Sequence, residues 1–453
     1  VVRKVLVANR GEIAVRVLRA CRELGVRTVA VYSTEDRESA AVALADEAVH
    51  IGPAPARRSY LHIPALIEAA RKTGADAVHP GYGFLSEDPD FAEVCRDNDL
   101  VFIGPPPEVI AALGDKTAAR ALMAGAGMPL LPGSLEPLRR ADQAHGVAEA
   151  IGYPVIIKAA AGGGGRGMTV VRDGEDFVRA YTETSANARA LFGDPRVFVE
   201  RYLPSARHVE IQILCDSHGG VVHLGERDCS VQRRHQKLVE ESPAPGLPAD
   251  LVERMAQAAV AGAKAAGYVG AGTFEFLVGP DGAFSFMEVN CRIQVEHPVT
   301  ELRTGIDLVR QQLLIAAGGR LDFAQDDISA RGAVIECRIN VEDPDRAFLP
   351  APGRLERFVP AGGPFVRVDT HGYPGYRMAT SYDSLLAKLL TWAPTRAEAL
   401  ARMDRALAEF TVSGPGVRTT IPFLRRVLAD EHFATGTHDT TIVDRLTGRP
   451  DQR

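Results

Sequence analysis

The chain has 453 residues, 46% hydrophobic and 24% charged, which is enough for two or three domains with cores of their own and too apolar for a mainly disordered chain. Fifty-two basic against fifty-eight acidic side chains leave a net charge of −6, which argues against a nucleic-acid or anionic-membrane partner. No apolar run reaches the roughly 18 residues of a membrane span, and the N-terminal one is too short for a signal peptide.

The first hundred-odd residues alternate strand and helix. Residues 5–8 read as a buried strand ending at Asn9-Arg10-Gly11, and the following helix sets Ile13, Val17, Cys21 and Leu24 on one face, stopping at Gly25. Strands are expected at 28–32, 77–79 and 101–103, with helices between them, so the sheet should be parallel and covered on both faces. The first strand–helix turn lacks GxGxxG, so this unit is Rossmann-like in shape without a dinucleotide site.

From about Leu130 the texture turns β-rich, with strands expected at 153–160, 168–171, 196–202, 208–215 and 221–225, a helix near 249–266 and a hairpin over 273–290. A third section from about Arg331 has strands at 333–339, 365–369 and 384–391 and a helix from Arg396 to about Phe410. Six cysteines are scattered without CxxC spacing, which fits a reduced, cytoplasmic chain without a zinc site.

Four features carry chemistry. Only seven lysines occur beside forty-five arginines, and Lys116, Lys158 and Lys237 fall in polar or Gly-rich motifs where a compact ammonium has a use. Lys4, Lys72 and Lys264 are read as chance. The run Gly162-Gly163-Gly164-Gly165 between two strands frees backbone N–H groups to approach phosphate oxygens, with Lys158 adding charge; it is not a P-loop, because Gly-Lys-Ser/Thr is missing. A plain flexible hairpin tip is the competing reading, and such a tip could also close over a nucleotide.

The third feature is a carboxylate pair. With Pro280 and Asp281 as a two-residue loop, Glu275 lies opposite Phe286 and diagonal to Glu288, with Asn290 on the same face. Such oxygens suit a hard cation holding a triphosphate, whereas a glycosidase-like acid/base pair would leave the Gly loop without a role. Phe284 and Phe286 share that face on this register, so it is not wholly solvated. Fourth, Glu288, Asn290, Arg292, Gln294 and Glu296 alternate with apolar residues, so an extended segment would line five polar groups along one side. Arg292 is then an anion fork and Glu296 a candidate base. The basic run 226–237 is flanked by Glu226, Asp228, Glu240 and Glu241, which favours a small anion over nucleic acid.

The motifs KAAAGGGGRGM, HVEIQ, ERDCSVQRRHQK, GTFEF, MEVNCRIQVEHPVTE and ECRIN, in this order, resemble those of biotin carboxylases, and the resemblance runs over nearly the whole chain. It implies an α/β plus α+β fold: a Rossmann-like N-terminal domain (1–114), an ATP-grasp domain (115–330) with a mobile lid at about 131–203, and a C-terminal α/β domain (331–446). By motif, Lys116, Lys158, Gly163, Gly164 and Gly165 would contact ATP phosphates, Glu200 and Leu203 the adenine, and His208 and Gln232 the ribose, with His235 beside the nucleotide. Glu275 and Glu288, with Asn290 nearby, would bind Mg²⁺ or Mn²⁺. Lys237, Arg292, Gln294 and Val295 would hold bicarbonate, Glu296 would deprotonate it, and Arg338 would stabilise the biotin enolate. Cys291 and Arg201 stand where relatives often carry Thr or Pro and Lys. The alternation turns Cys291 away from the site.

The implied activity is ATP-dependent carboxylation of biotin by bicarbonate through carboxyphosphate, the first half-reaction of an acyl-CoA carboxylase such as the acetyl-CoA carboxylase of fatty acid biosynthesis. Another ATP-grasp carboxylate–amine ligase would explain the Gly loop and Glu275/Glu288 but give Arg338 no role, and a nucleotide-binding regulatory subunit would bind without turnover. No Met-Lys-Met biotinylation site occurs. Biotin is therefore expected on a separate biotin carboxyl carrier protein, or on another part of a longer polypeptide, with a carboxyltransferase subunit as the further partner. The resemblance also implies a homodimer.

Overall fold

A computed structural model describes residues 2–161 and 166–448. The N-terminal sheet has five parallel strands, β1 (Lys4–Val7), β2 (Arg27–Ser33), β3 (Glu47–Gly52), β4 (Ala77–His79) and β5 (Val101–Phe102), in the order β3-β2-β1-β4-β5. β1 is central and buried on both faces, which is why its apolar run is continuous rather than alternating. The helix Gly11–Glu23 follows it and buries Ile13, Val17 and Cys21. β3 was not read from the sequence: its alternate residues are exposed, and edge strands carry a weaker apolar signal.

Residues 131–203 hold a separate antiparallel sheet, β7-β6-β8, of β6 (Val155–Ala159), β7 (Met168–Val171) and β8 (Val197–Arg201). Val155, Ile157, Val197 and Val199 turn one face onto the helices Ala141–Ile151 and Phe177–Phe192, forming a small core with Leu138 and Phe177. The alternation leaves Ile156, Lys158, Phe198 and Glu200 on the other face.

The largest sheet has eight strands. β9 (Arg207–Cys215), β10 (Val221–Arg233), β11 (Gln236–Ser242), β12 (Gly270–Val278), β13 (Phe284–Asn290) and β14 (Ala333–Asn340) are joined by Leu385–Ala393 and Val366–Thr370. The order is β13-β12-β9-β10-β11-β14, then Leu385–Ala393 and Val366–Thr370, so the sheet runs unbroken across residues 330/331. Val209, Ile211, Ile213, Phe274 and Phe276 line one face under the helix Ala249–Ala266. The basic run 226–237 is a hairpin rather than a patch: Arg234 and His235 both have positive φ and form its tip, as a two-residue turn of this hand requires.

Two sequence expectations are corrected here. The 273–290 hairpin turns through three residues, Pro280-Asp281-Gly282, with Gly282 at φ +75° and Gly279 N–H donating to Ala283 O at 2.8 Å. Phe276 therefore pairs with Phe286, and a bulge at Met287 brings Glu288 directly opposite Glu275. Phe284 and Phe286 consequently pack in the core with Phe276, on the face away from the two carboxylates. The second correction concerns the five alternating polar residues. The strand ends at Asn290, and Glu296 is the N-cap of the helix His297–Thr304, so Arg292, Gln294 and Glu296 converge from a loop rather than line a strand. Cys291 and Ile293 do point inward, into two different cores.

Candidate active site

β9 and β12 place His208, Glu210 and Glu275 on one face, with Glu210 paired across the ladder to both Glu275 and Arg227. Two carboxylates directly opposite repel one another. Lys237, from β11, resolves the conflict: its Nζ donates to Glu210 Oε2 at 2.6 Å, Glu275 Oε1 at 3.0 Å and Glu296 Oε1 at 2.6 Å. Arg227, wholly buried, donates to the other oxygen of Glu210 at 2.6 Å and to Gln212 and Thr300 at 2.8 Å. Arg338 donates through Nε to Glu240 at 2.6 Å and through an Nη to Glu296 Oε2 at 2.9 Å. Four buried carboxylates thus meet three cations, each carboxylate hydrogen-bonded to at least one of them, the condition under which burying such charges is tolerable.

Burial alone would raise the carboxyl of Glu296, but Lys237, Arg338 and Arg227 overcome it and hold Glu296 well below the usual range. Glu275 is likewise held low, burial being outweighed by Lys237 and His208, whose Nε2 lies 3.0 Å from Glu275 Oε2. Both are anions at neutral pH. Asn290 and Gln294 donate to Glu275 Oε1 at 3.0 and 3.2 Å, and Glu288 lies 2.9 Å from Lys116.

Arg292 spreads its guanidinium over Gln294 at 2.7 Å, Asn290 at 2.9 Å and Glu87 at 2.7 Å. Glu87 also accepts from the Cys291 N–H at 2.8 Å, so an N-terminal-domain residue sets the entry of this loop. From the C-terminal side, Lys388 donates to Val295 O at 2.8 Å and lies 3.1 Å from Glu12, which also accepts from Tyr82. The open face of the three-stranded sheet presents Lys158 in contact with Glu200, whose second oxygen accepts from Arg120 at 2.8 Å. Leu203 follows β8, half-buried; Gln232 sits 3.4 Å from His208, and His235 is exposed at the hairpin tip. Gly163, Gly164 and Gly165 lie outside the described residues.

The structure therefore brings together Lys116, His208, Lys237, Glu275, Glu288, Asn290, Arg292, Gln294, Glu296 and Arg338, and holds Lys158 and Glu200 on the three-stranded sheet. Sequence reasoning missed Glu12, Glu87, Arg120, Glu210, Arg227 and Lys388. Lys388 carried a signal that went unused: a rare lysine in the apolar strand LLAKLLTWA, here wholly buried. Glu210 stood in the quoted HVEIQ motif without a role. Nothing local in the sequence ties Glu87 to Arg292, more than 200 residues away.

A small antiparallel sheet bearing a lysine beside a larger sheet bearing paired acids is the architecture of the ATP-grasp enzymes. Residues 115–324 match the family described as the carbamoyl-phosphate synthase L chain, ATP binding domain, and residues 1–110 and 336–445 match the biotin carboxylase N-terminal and C-terminal domains. The biotin carboxylase of Nostoc sp. is 52% identical over 443 residues, 98% of this chain and 99% of that one. A Campylobacter jejuni biotin carboxylase complexed with β-γ-ATP superimposes with a TM-score of 0.96 at 45% identity, covering 98% of this chain and 99% of that one. The biotin carboxylase domain dimer of a Hydrogenobacter thermophilus 2-oxoglutarate carboxylase, holding MgADP and bicarbonate, gives 0.94 at 45% identity, with 98% and 97% covered. The chain belongs to the biotin carboxylases, which are ligases.

Proposed function

We propose that this site carboxylates biotin with bicarbonate at the expense of ATP, with the labour divided between the wall and the small sheet just described. The observation that carries this reading is Glu296 held between Lys237 and Arg338. Taken as the base, this carboxylate has on one side an ammonium suited to an anion and on the other a guanidinium suited to a developing oxyanion.

As the site stands, Glu296 is a poor base, because its two cations hold its proton affinity down. Bicarbonate bound by Lys237, Arg292, Gln294 and the Val295 backbone draws Lys237 toward the new anion. Glu296 then gains proton affinity at the moment it is needed and removes the bicarbonate proton for attack on the γ-phosphate. The carboxyphosphate formed breaks down to CO₂ and phosphate. That phosphate takes the ureido proton of biotin, and Arg338 stabilises the enolate oxygen while the nitrogen attacks CO₂.

Lys116, Lys158 and the glycines at 163–165 serve the phosphates, Glu200 and Leu203 the adenine, and His208 and Gln232 the ribose, with His235 beside the nucleotide. The direct Glu275/Glu288 pair with Asn290 is an all-oxygen donor set that suits Mg²⁺ or Mn²⁺. Such an ion neutralises phosphate charge when bound, and Lys116 and His208 balance the two carboxylates otherwise.

Biotin arrives on a carrier protein, and a carboxyltransferase selects the final acceptor. The homodimer follows the relative crystallised as one. Among the described residues no helix is long and apolar enough to cross a membrane, and all six cysteines are free and buried, which supports a cytoplasmic setting. The test is ATP hydrolysis with Mg²⁺, with and without bicarbonate, then with free biotin. Dependence on bicarbonate and stimulation by biotin are expected; hydrolysis indifferent to both would point to another ATP-grasp ligase.

A further inference from the structure

Beside Arg338 lies a pair of acids that the reaction above does not use. Glu240 of β11 and Glu336 of β14 are direct cross-strand partners, and both are wholly buried. Glu240 Oε1 accepts from Arg338, but Glu240 Oε2 and both oxygens of Glu336 have no hydrogen-bond partner. Two ionised carboxylates are acceptors only, so they cannot satisfy one another and would repel. A single proton cures both defects by turning one acceptor into a donor.

The charged and titratable groups around the pair leave room for that proton. Glu336 is faced by Glu240, Lys388, Arg338 and Glu296, Glu240 further by Lys237 and the Cys229 thiol, and both lie within electrostatic reach of the Cys337 thiol. Lys388 is engaged with Val295 O and Glu12, Lys237 with Glu210, Glu275 and Glu296, and Arg338 with Glu240 and Glu296. None of these cations makes a hydrogen bond to Glu336. Burial followed by the Glu240 charge raises the Glu336 carboxyl well above the carboxylate range, which agrees with the geometric argument.

We propose that Glu240 and Glu336 share one proton, with Glu336 as the acid, and that this pair is a positioning device that sets how Arg338 divides its guanidinium between Glu240 and Glu296. With one proton, Glu240 balances Glu296 as an acceptor and Arg338 bridges the two. When the proton leaves, the doubly charged pair draws the guanidinium off Glu296 and away from the place assigned above to the enolate. The inference rests on that assignment of Arg338 and Glu296.

The test uses the full chain and two readouts. Infrared difference spectra at neutral pH should show the C=O stretch of a protonated carboxylic acid that vanishes in Glu336→Gln. Glu336→Gln keeps a donor toward Glu240, so biotin-dependent kcat should stay within about threefold of wild type while the alkaline fall of kcat disappears. Glu336→Leu removes the donor and should lower kcat about tenfold with the KM for ATP unchanged. Should Glu336→Gln fail to fold, Glu240→Gln replaces the other half of the pair and must shift the same band. Absence of the band, or an unchanged alkaline limb in Glu336→Gln, overturns the proposal. If Arg338→Ala stays fully active, the site reading fails along with it; if Arg338→Ala is inactive and the band is absent, only the shared proton fails.

Discussion

The wall of the site and the small three-stranded sheet carry their paired charges on different frames. On the wall, Glu210, Glu275 and Glu296 surround one ammonium, and Arg227, Arg338 and His208 complete the balance on strands of one continuous sheet. Lys158 and Glu200 occupy the three-stranded sheet with its own small core, and Glu200 is tied back to Arg120 of the body. On the function proposed above, the difference would follow from ligand size. Bicarbonate offers too few atoms to organise a disordered site, so its groups must be fixed beforehand. A nucleotide makes enough contacts to order a lid around itself.

Wall substitutions should therefore lose chemistry and spare nucleotide affinity, and lid-side substitutions the reverse. The largest effect is expected from Glu296→Ala: bicarbonate-dependent turnover falls about 10²–10⁴-fold, the range for a lost general base, while the calorimetric Kd for ATP holds. Weaker ATP binding in this variant would contradict that division. Arg338→Ala should cut biotin carboxylation about 10²–10³-fold, again with ATP affinity intact.

Glu288→Ala belongs to the nucleotide side and should weaken Mg²⁺-dependent nucleotide binding about 10–100-fold, read by titration with MgADP. Gly133→Ala tests the nucleotide side through the backbone that carries Glu200. A Cβ there would stand 2.7 Å from both Glu200 Cβ and Val199 O, so the KM for ATP should rise about threefold while kcat stays near wild type.

The smallest effect is one of acid stability. Glu296 has its carboxyl depressed in the fold, so the stability it contributes is complete above the unfolded value of about 4.3 and lost as pH falls below it. The difference in melting temperature between wild type and Glu296→Gln should accordingly be constant from neutral pH down to about 5 and shrink below about 4.

Much of this was legible in the chain. Periodicity located the parallel sheet, the 249–266 helix and the 273–290 hairpin, because apolar spacing reports which face of an element is buried. The rarity of lysine singled out Lys116, Lys158 and Lys237, all of which pair with carboxylates across the site. The motif order brought the family with it, and with the family the roles proposed above for Glu296 and Arg338.

Register and distant partners were decided only in three dimensions. One additional turn residue together with a bulge at Met287 moved the phenylalanines to the core and set Glu288 squarely opposite Glu275; alternation carries no mark of a one-residue slip. The ties of Glu87 to Arg292, Arg120 to Glu200 and Lys388 to Val295 join segments 80 to 205 residues apart. The Glu240/Glu336 pair arises the same way, from two strands that meet only in the folded sheet. A sequence states which side each residue faces within its own element, and packing alone determines what it faces there.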